Sequence, residues 1–541
     1  MPYNQISPDV LKATISNNVM HVYYNNSVPF GASDDKIGYV TTDIHCGNDD
    51  SAETVITDYQ DRIVVVGYTE ACYDKIAVAR YLPNGDLDCH FGHHGRKRLH
   101  LGCADYKGFS VAIDSQNRIV IGAVRQECSD RISIARLLED GCLDYSFNCG
   151  DGYVDTWIKS DYCRKALPNL LALDRHDRIL IAGYKCGDGD DFAVERYTSW
   201  GHRDHSFGDC GRVLVDISGG HDDYAYGVAV DSSDNIVVFG STDVSANALD
   251  NENDYNIAVV KLNHCGQVDL NFGTDISGRV VIDISGYRND YPTSIAIDSK
   301  DRIVIGGYIW VDCYAKDDFA VVRINSDGSR DTTFGPNGDG TAVNGTWCHT
   351  YDKAYNVQVD ADDNVVVCGT SSHCGDKYIT VLKLTSAGLP DETFGNQCDL
   401  SGFLITSLCG SDPRAYGLSI DSHGRYLVAG KLDTGSYDFL VARFLPGGQL
   451  DNKYRIYTKY ALDDGQFKPM HVSNIIRFQN DKNVLLVDVP DITKRDYTLT
   501  LSTANGKETQ TIQIFNDNTV QTESVRGITN TLPSILSKLF V

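Results

Sequence analysis

An internal repeat of 56 to 67 residues constrains this chain more than any other feature of its sequence. An aspartate ends a β-rich run at Asp58, Asp114, Asp174, Asp231, Asp298, Asp360 and Asp421. A second register is stricter. Arg80, Arg136, Arg196, Lys261, Arg323, Lys383 and Arg443 are each followed eight residues on by Asp88, Asp144, Asp204, Asp269, Asp331, Asp391 and Asp451. Three residues later come Phe91, Phe147, Phe207, Phe272, Phe334, Phe394 and Tyr454. Seven matches at one spacing exclude coincidence. A repeat of this length is one supersecondary unit that buries its apolar faces against its neighbours.

Each unit reads as four short strands, at 279–284, 294–298, 302–308 and 319–324 in the fifth copy, punctuated by "DSKD" and "NSDG" turns. Val/Ile runs this dense are buried on both faces of a sheet. Four-stranded units without helical periodicity between them pack radially, whereas a linear β-solenoid has shorter coils. The expected fold class is all-β: a seven-bladed β-propeller with a small C-terminal β-sandwich-like module.

"DRIVIGGY" followed by "DFAVVRINSDGSRDTTFG" resembles the consensus of the delta-60 repeat family of predicted β-propellers. The resemblance covers about residues 30–454 and is specific for fold. It carries no catalytic residues to this chain, and a fold alone gives no activity.

"FGASDDKIGYVTTDI" near the N-terminus matches "FGTDISGRVVIDI" at a later crossover. The chain is therefore expected to enter at a crossover, complete its units by Arg443, and close with the first and last units side by side. The expected organisation is an N-terminal extension (1–29), the propeller (30–460) and a C-terminal β module with an apolar tail (461–541). In that module "YTLTL" and "TQTIQIF" alternate apolar and polar, and Asn505-Gly506 is a hairpin turn. The tail "TLPSILSKLFV" reads either as an element docked on the module or as a docking tail for a neighbour.

Charge narrows the function. Lys+Arg is 48 against 74 Asp+Glu, a net charge of −26. A nucleic-acid or anionic-membrane binder needs a basic face. No apolar run reaches the ~18 residues of a membrane span, and the first 28 residues carry no standard signal peptide. Protein partners or self-assembly, and possible glycan ligands, remain.

Charges present in every unit are architectural, so the repeated basic–acidic pair is assigned to the fold. Function is expected where units differ, on the variable loops that a rigid scaffold presents. Tyr224, Tyr291, Trp310 and Trp347 on these loops suit a glycan or protein partner. The chain holds 17 cysteines. Pairing within a unit is expected for Cys46–Cys72, Cys103–Cys128, Cys163–Cys186 and Cys348–Cys374, a connectivity that sequence leaves open. Exposed loop cysteines favour an oxidising setting. Zinc donors occur at Cys89, His90, His93 and His94, and at His202, His205 and Cys210, without Cys-x2-Cys spacing. Asp188, Asp190 and Asp191 offer calcium carboxylates without EF-hand order. Neither reading outweighs solvated turns, so no cofactor is expected. Asn25 and Asn344 lie in glycosylation sequons. With no nucleophile elbow, P-loop or dinucleotide fingerprint, the expected function is a non-enzymatic structural or interaction protein. It would be a component of a virion-like particle or an extracellular surface. A carbohydrate-binding or carbohydrate-active propeller is the alternative.

Overall fold

The computed structural model describes residues 38–451 except 46, 71–72, 103, 127–129, 161–167, 188, 245–253, 275–276, 287, 312–316, 347–349, 374, 396–399 and 409–410; outside that span it describes strand segments only. The chain divides into two compact bodies. One is Tyr39–Leu450. The other joins Met1–Gly38 to Asp451–Val541. Within the latter, Val10–Ser16, Val19–Tyr24, Lys482–Asp488 and Val472–Phe478 form one antiparallel sheet in that order, and Tyr497–Ser502, Thr509–Ile514 and Val520–Ser524 form another.

The larger body is built from antiparallel sheets, each strand hydrogen-bonded to the next in sequence. In the fifth repeat the order is Asp290–Ile297, Ile303–Trp310, Asp317–Ile324 and Thr341–Asn344. Repeats two and three share one larger sheet through the Lys159–Tyr184 pair. The second and third strands are buried over most of their length, as at Val64, Val65 and Val66, because sheets cover both of their faces. Apolar clusters accordingly lie between adjacent repeats: Val64, Val66, Ile76 and Val78 of the first pack with Ile119, Ile121 and Ala135 of the second.

The sheets are offset by one strand from the units read in the sequence. Residues 279–284 were expected to begin a unit; instead Arg279–Ile282 is the last strand of the preceding sheet, beside Tyr255–Leu262. The reason is reach. The short crossover after each third strand leaves the next segment beside that same strand. The final repeat's sheet takes its fourth strand from the other end of the described body. Tyr39–Thr42 supplies it, with Tyr39 opposite Ala442 and Thr42 opposite Phe439. The first strands of successive repeats pack in a closed cycle, with the last, Ser411–Ile420, against Asp50–Thr57 of the first.

The repeated charges do what the sequence reading assigned them. Arg80, Arg136, Arg196 and Arg323 bond Asp88, Asp144, Asp204 and Asp331 at 2.8–2.9 Å. Their guanidinium carbons stand 4.3–4.6 Å from the ring centroids of Phe91, Phe147, Phe207 and Phe334. A second nitrogen reaches the next repeat: Arg80 donates to the Glu139 carbonyl, Arg136 to Ser199, Arg196 to His264 and Arg443, across the closure, to Pro83. Lys261 departs from the pattern. It pairs with Asp231 at 3.0 Å and reaches the Ser326 carbonyl at 3.1 Å. Phe91, Phe147, Phe207, Phe334 and Phe394 lie under the hairpin glycine of the next repeat. At Gly201 φ is +82°, and an added Cβ would sit 2.7 Å from the Phe147 ring, so only glycine fits.

The turns between first and second strands are stitched likewise. Ser115 donates to Asp177, Ser232 to Asp301, Ser299 to Asp363 and, across the closure, Ser422 to Asp61, at 2.5–2.9 Å. The architecture is thus one charge-and-hydroxyl stitch copied around a cycle.

Candidate functional site

Register shifts interrupt the first strands between Ala52/Thr54, Gly108/Ser110, Ala225/Gly227, Pro292/Ser294, Ala354/Asn356 and Ala415/Gly417. A bulge leaves one residue outside the ladder and re-aims its side chain. Those residues are Glu53, Phe109, Tyr226, Thr293, Tyr355 and Tyr416. Each stands five before the repeated aspartate, a register that the sequence reading did not use. Asn169 holds the same place in the third repeat. Its side-chain oxygen accepts from Ser294 Oγ at 2.8 Å and from the Ile295 N–H at 3.0 Å, two repeats away. Tyr355 and Tyr416 meet edge-on at 5.2 Å. Burial raises the Glu53 carboxyl's pKa, opposed by the Ser51 hydroxyl and by Lys431 and Lys107.

Between the fourth, fifth and sixth repeats lies a cleft of about 410 Å³. Tyr291 and Tyr308, opposite each other on neighbouring strands, stack with centroids 4.9 Å apart and planes 16° apart. Tyr226, Tyr255, Trp310 and Tyr351 complete an aromatic lining. Trp310 is 39% and Tyr351 50% exposed, although large aromatics usually bury their area. Lys353 Nζ lies 5.1 Å from the Tyr308 centroid and 3.6 Å from Asp317 Oδ2. Arg288 lies 5.3 Å from the Trp310 ring. Burial pushes the Tyr308 hydroxyl far above its usual range, and the Asp317 carboxyl up as well.

Asp290 also lines the cleft, but its carboxylate is engaged by the Ile284 N–H at 2.9 Å and the Ser285 hydroxyl at 2.8 Å. Asp50, Asp223 and Asp352 accept the corresponding N–H of Ile44, Ile217 and Thr346. It is therefore a loop lock present in several repeats. Burial pushes Asp290 up to about 6, above the ~3.9 of an unfolded aspartate. A raised folded-state pKa contributes stability that is full below the unfolded value and lost as pH rises through the folded one. Between pH 4 and pH 7 the chain should lose roughly 2 kcal/mol through this group. Asp290→Asn should flatten that part of the slope; identical urea midpoint differences in both chains would refute the assignment.

Of the binding-face residues expected from sequence, Tyr291 and Trp310 line this one cleft. Tyr224 is not among the lining residues; it packs edge-on to Tyr184 at 5.0 Å and lies 6.0 Å from Tyr255. Trp347 and Asn25 lie outside the described residues. So do Cys46, Cys72, Cys103, Cys128, Cys163, Cys348 and Cys374, and with them every expected disulfide. Cys186 is an exposed free thiol, 3.0 Å from Lys159 Nζ. Asn344 sits half-buried in a strand opposite Phe319, and its sequon's Thr346 hydroxyl is buried against Asp352. Among the described residues, the three-ligand groupings that could hold a metal are Asp43–Asp50–Asp438 and Asp191–Asp216–Asp223. The Cys/His sets considered for zinc do not assemble there; His93 and His94 pack edge-on instead. No helix of the described residues is long and apolar enough to cross a membrane.

A family model described as a domain of unknown function (DUF5122) beta-propeller matches residues 301–334 and 423–453. No curated protein matches the chain. Among solved structures, an ulvan lyase of a polysaccharide lyase family bound to -[GlcA(1-4)Rha3S]- is 11% identical, covering 76% of this chain and 97% of that one, with a TM-score of 0.43. The β-propeller domain of the Trilobed protease from Pyrococcus furiosus is 10% identical, covering 74% and 94%, TM-score 0.37. Drosophila Semaphorin 2a is 8% identical, covering 86% and 96%, TM-score 0.43. Likenesses this remote bring no activity or ligand to this chain. The family-model match and the cyclic packing of antiparallel sheets agree on one conclusion: the larger body has a β-propeller fold.

Proposed function

We propose that the chain is a seven-bladed β-propeller that binds a sugar chain in the aromatic cleft of its fourth to sixth blades. The stacked Tyr291–Tyr308 pair beside the exposed Trp310 carries this reading. Aromatic faces cover the apolar C–H faces of a saccharide. Asn289, Ser241 and the Asp317–Lys353 pair supply the few convergent polar groups that orient such a ligand. The net charge of −26 favours a neutral saccharide over a polyanion. Binding rather than catalysis is favoured because the cleft's acid–base groups are committed. Asp290 locks a loop, and the Tyr308 hydroxyl, pushed up by burial, stays protonated.

Glycan-array binding by the full chain tests the proposal. Tyr291→Ala and Trp310→Ala should each weaken the bound glycan by about tenfold or more, on the scale of a buried aromatic contact, with the melting temperature held. A folded chain that binds no glycan would end this reading. Shortening of the bound glycan, seen by mass spectrometry, would make the cleft an active site.

A second reading, a structural component of a virion-like particle or surface assembly, draws on other residues. Cys89, Cys142, Cys149, Cys210 and Cys265 are exposed free thiols near the crossovers and hairpins. Exposed thiols can cross-link neighbouring copies once oxidised. Disulfide-linked multimers on non-reducing mass spectrometry would favour it; fully alkylatable thiols would remove it.

A further inference from the structure

The cycle is closed by segments almost four hundred residues apart, and the closure gathers three aspartates. Asp43 follows the closing strand, Asp50 opens the first strand of the first repeat, and Asp438 lies on the third strand of the last. One carboxylate oxygen of each lies within 4.8 Å of the others. Asp50 is 0% exposed; its Oδ2 accepts the Ile44 N–H at 2.6 Å, but its Oδ1 has no partner of hydrogen-bonding geometry, and neither has the buried Asp43 Oδ1. The buried Thr69 hydroxyl lies beside Asp50 and eases the burial of its carboxyl. Asp43 and Asp50 form no ion pair with a Lys or Arg among the described residues.

Buried carboxylates are ordinarily paired, hydrogen-bonded or bound to a metal. Here two carry orphan oxygens and face each other's like charge. A second trio carries no such unsatisfied oxygen. Asp191, Asp216 and Asp223 occupy the same registers: Asp191 stands five before Arg196 as Asp438 stands five before Arg443, and Asp216–Asp223 repeats the seven-residue spacing of Asp43–Asp50. In that trio Asp223 is fully partnered, by Thr242 Oγ1 at 2.5 Å, Ser218 Oγ at 3.0 Å and the Ile217 N–H at 2.6 Å, and Asp216 is exposed.

The geometry points to a divalent-cation site formed by Asp43, Asp50 and Asp438, whose ion bolts the closing strand to the first and last repeats. Calcium is the ion that fits. Two oxygens on one Ca²⁺ at about 2.3–2.6 Å can stand up to roughly 5 Å apart, whereas Mg²⁺ at about 2.0–2.1 Å demands a tighter, octahedral set. The Thr69 hydroxyl is placed to add a neutral oxygen. Stability of the closure would then depend on free calcium, because an ion that binds only the closed fold stabilises it by mass action.

The test is a titration of chelator-treated full-length chain with calcium chloride, by calorimetry and by melting temperature. One equivalent should bind, and the melting temperature should rise saturably by at least about 2 °C, with magnesium chloride weaker. Asp43→Asn combined with Asp438→Asn should abolish both signals, while Asp216→Asn leaves them unchanged. If the double variant does not fold, Asp43→Asn alone serves, and calcium affinity should fall at least about tenfold, as expected for the loss of a charged ligand. Absence of heat and of any thermal shift in the folded wild type would overturn the site. So would undiminished binding in the variants.

Discussion

Arg196→Ala is expected to lower the unfolding free energy by about 3–5 kcal/mol, the cost of stranding one partner of a buried pair. Arg196 is 2% exposed. Its loss removes the 2.8 Å bond to Asp204, the bond to the His264 carbonyl of the next repeat and the cover over Phe207. Burial alone would raise the Asp204 carboxyl's pKa; the Ser206 hydroxyl and N–H together with Arg196 hold it below the usual value. A depressed folded-state pKa contributes stability that is present above the unfolded value of ~3.9 and lost as pH falls. The gap between wild type and variant in urea unfolding should therefore narrow below about pH 4. Glycan binding, measured where the variant is folded, should persist. A variant of wild-type stability would show that the repeated pair is ornamental.

Val40→Asp should be about as damaging, at about 4 kcal/mol, by placing an unpaired charge in the core. Val40 is buried on the closing strand opposite Val441. Unzipping Tyr39–Thr42 bares the edge of Tyr437–Phe444, an invitation to pairing with another chain. Hydrogen exchange should show amide protection falling first in 437–444, with concentration-dependent oligomers. Uniform loss of protection across the cycle would mean that the closure is not its weak seam.

Much of this was legible in the sequence because it is local. Strand after strand follows from short Val/Ile runs, and the turns from Asp, Asn and Gly at fixed offsets. The Arg–Asp–Phe register was readable as architecture before any contact was seen. The bulged positions Glu53, Tyr226, Tyr355 and Tyr416 were equally regular, five before each repeated aspartate. They went unused because their residue types vary, and a register of unlike residues does not look like a motif.

What only the tertiary structure decided is whatever depends on the cycle as a whole. The one-strand offset between unit and sheet follows from crossover reach, which no periodicity encodes. The cleft takes Tyr226, Tyr291, Tyr308 and Tyr351 from three repeats, residues brought together by the angle at which sheets pack. Asp43 and Asp438 stand at opposite ends of the body, and only closure turns them into neighbours. Propensity and hydrophobic period act over a few residues, so the sequence by itself determined the repeat, its strands and its stitches. Long-range geometry chose which of the many exposed tyrosines and aspartates meet.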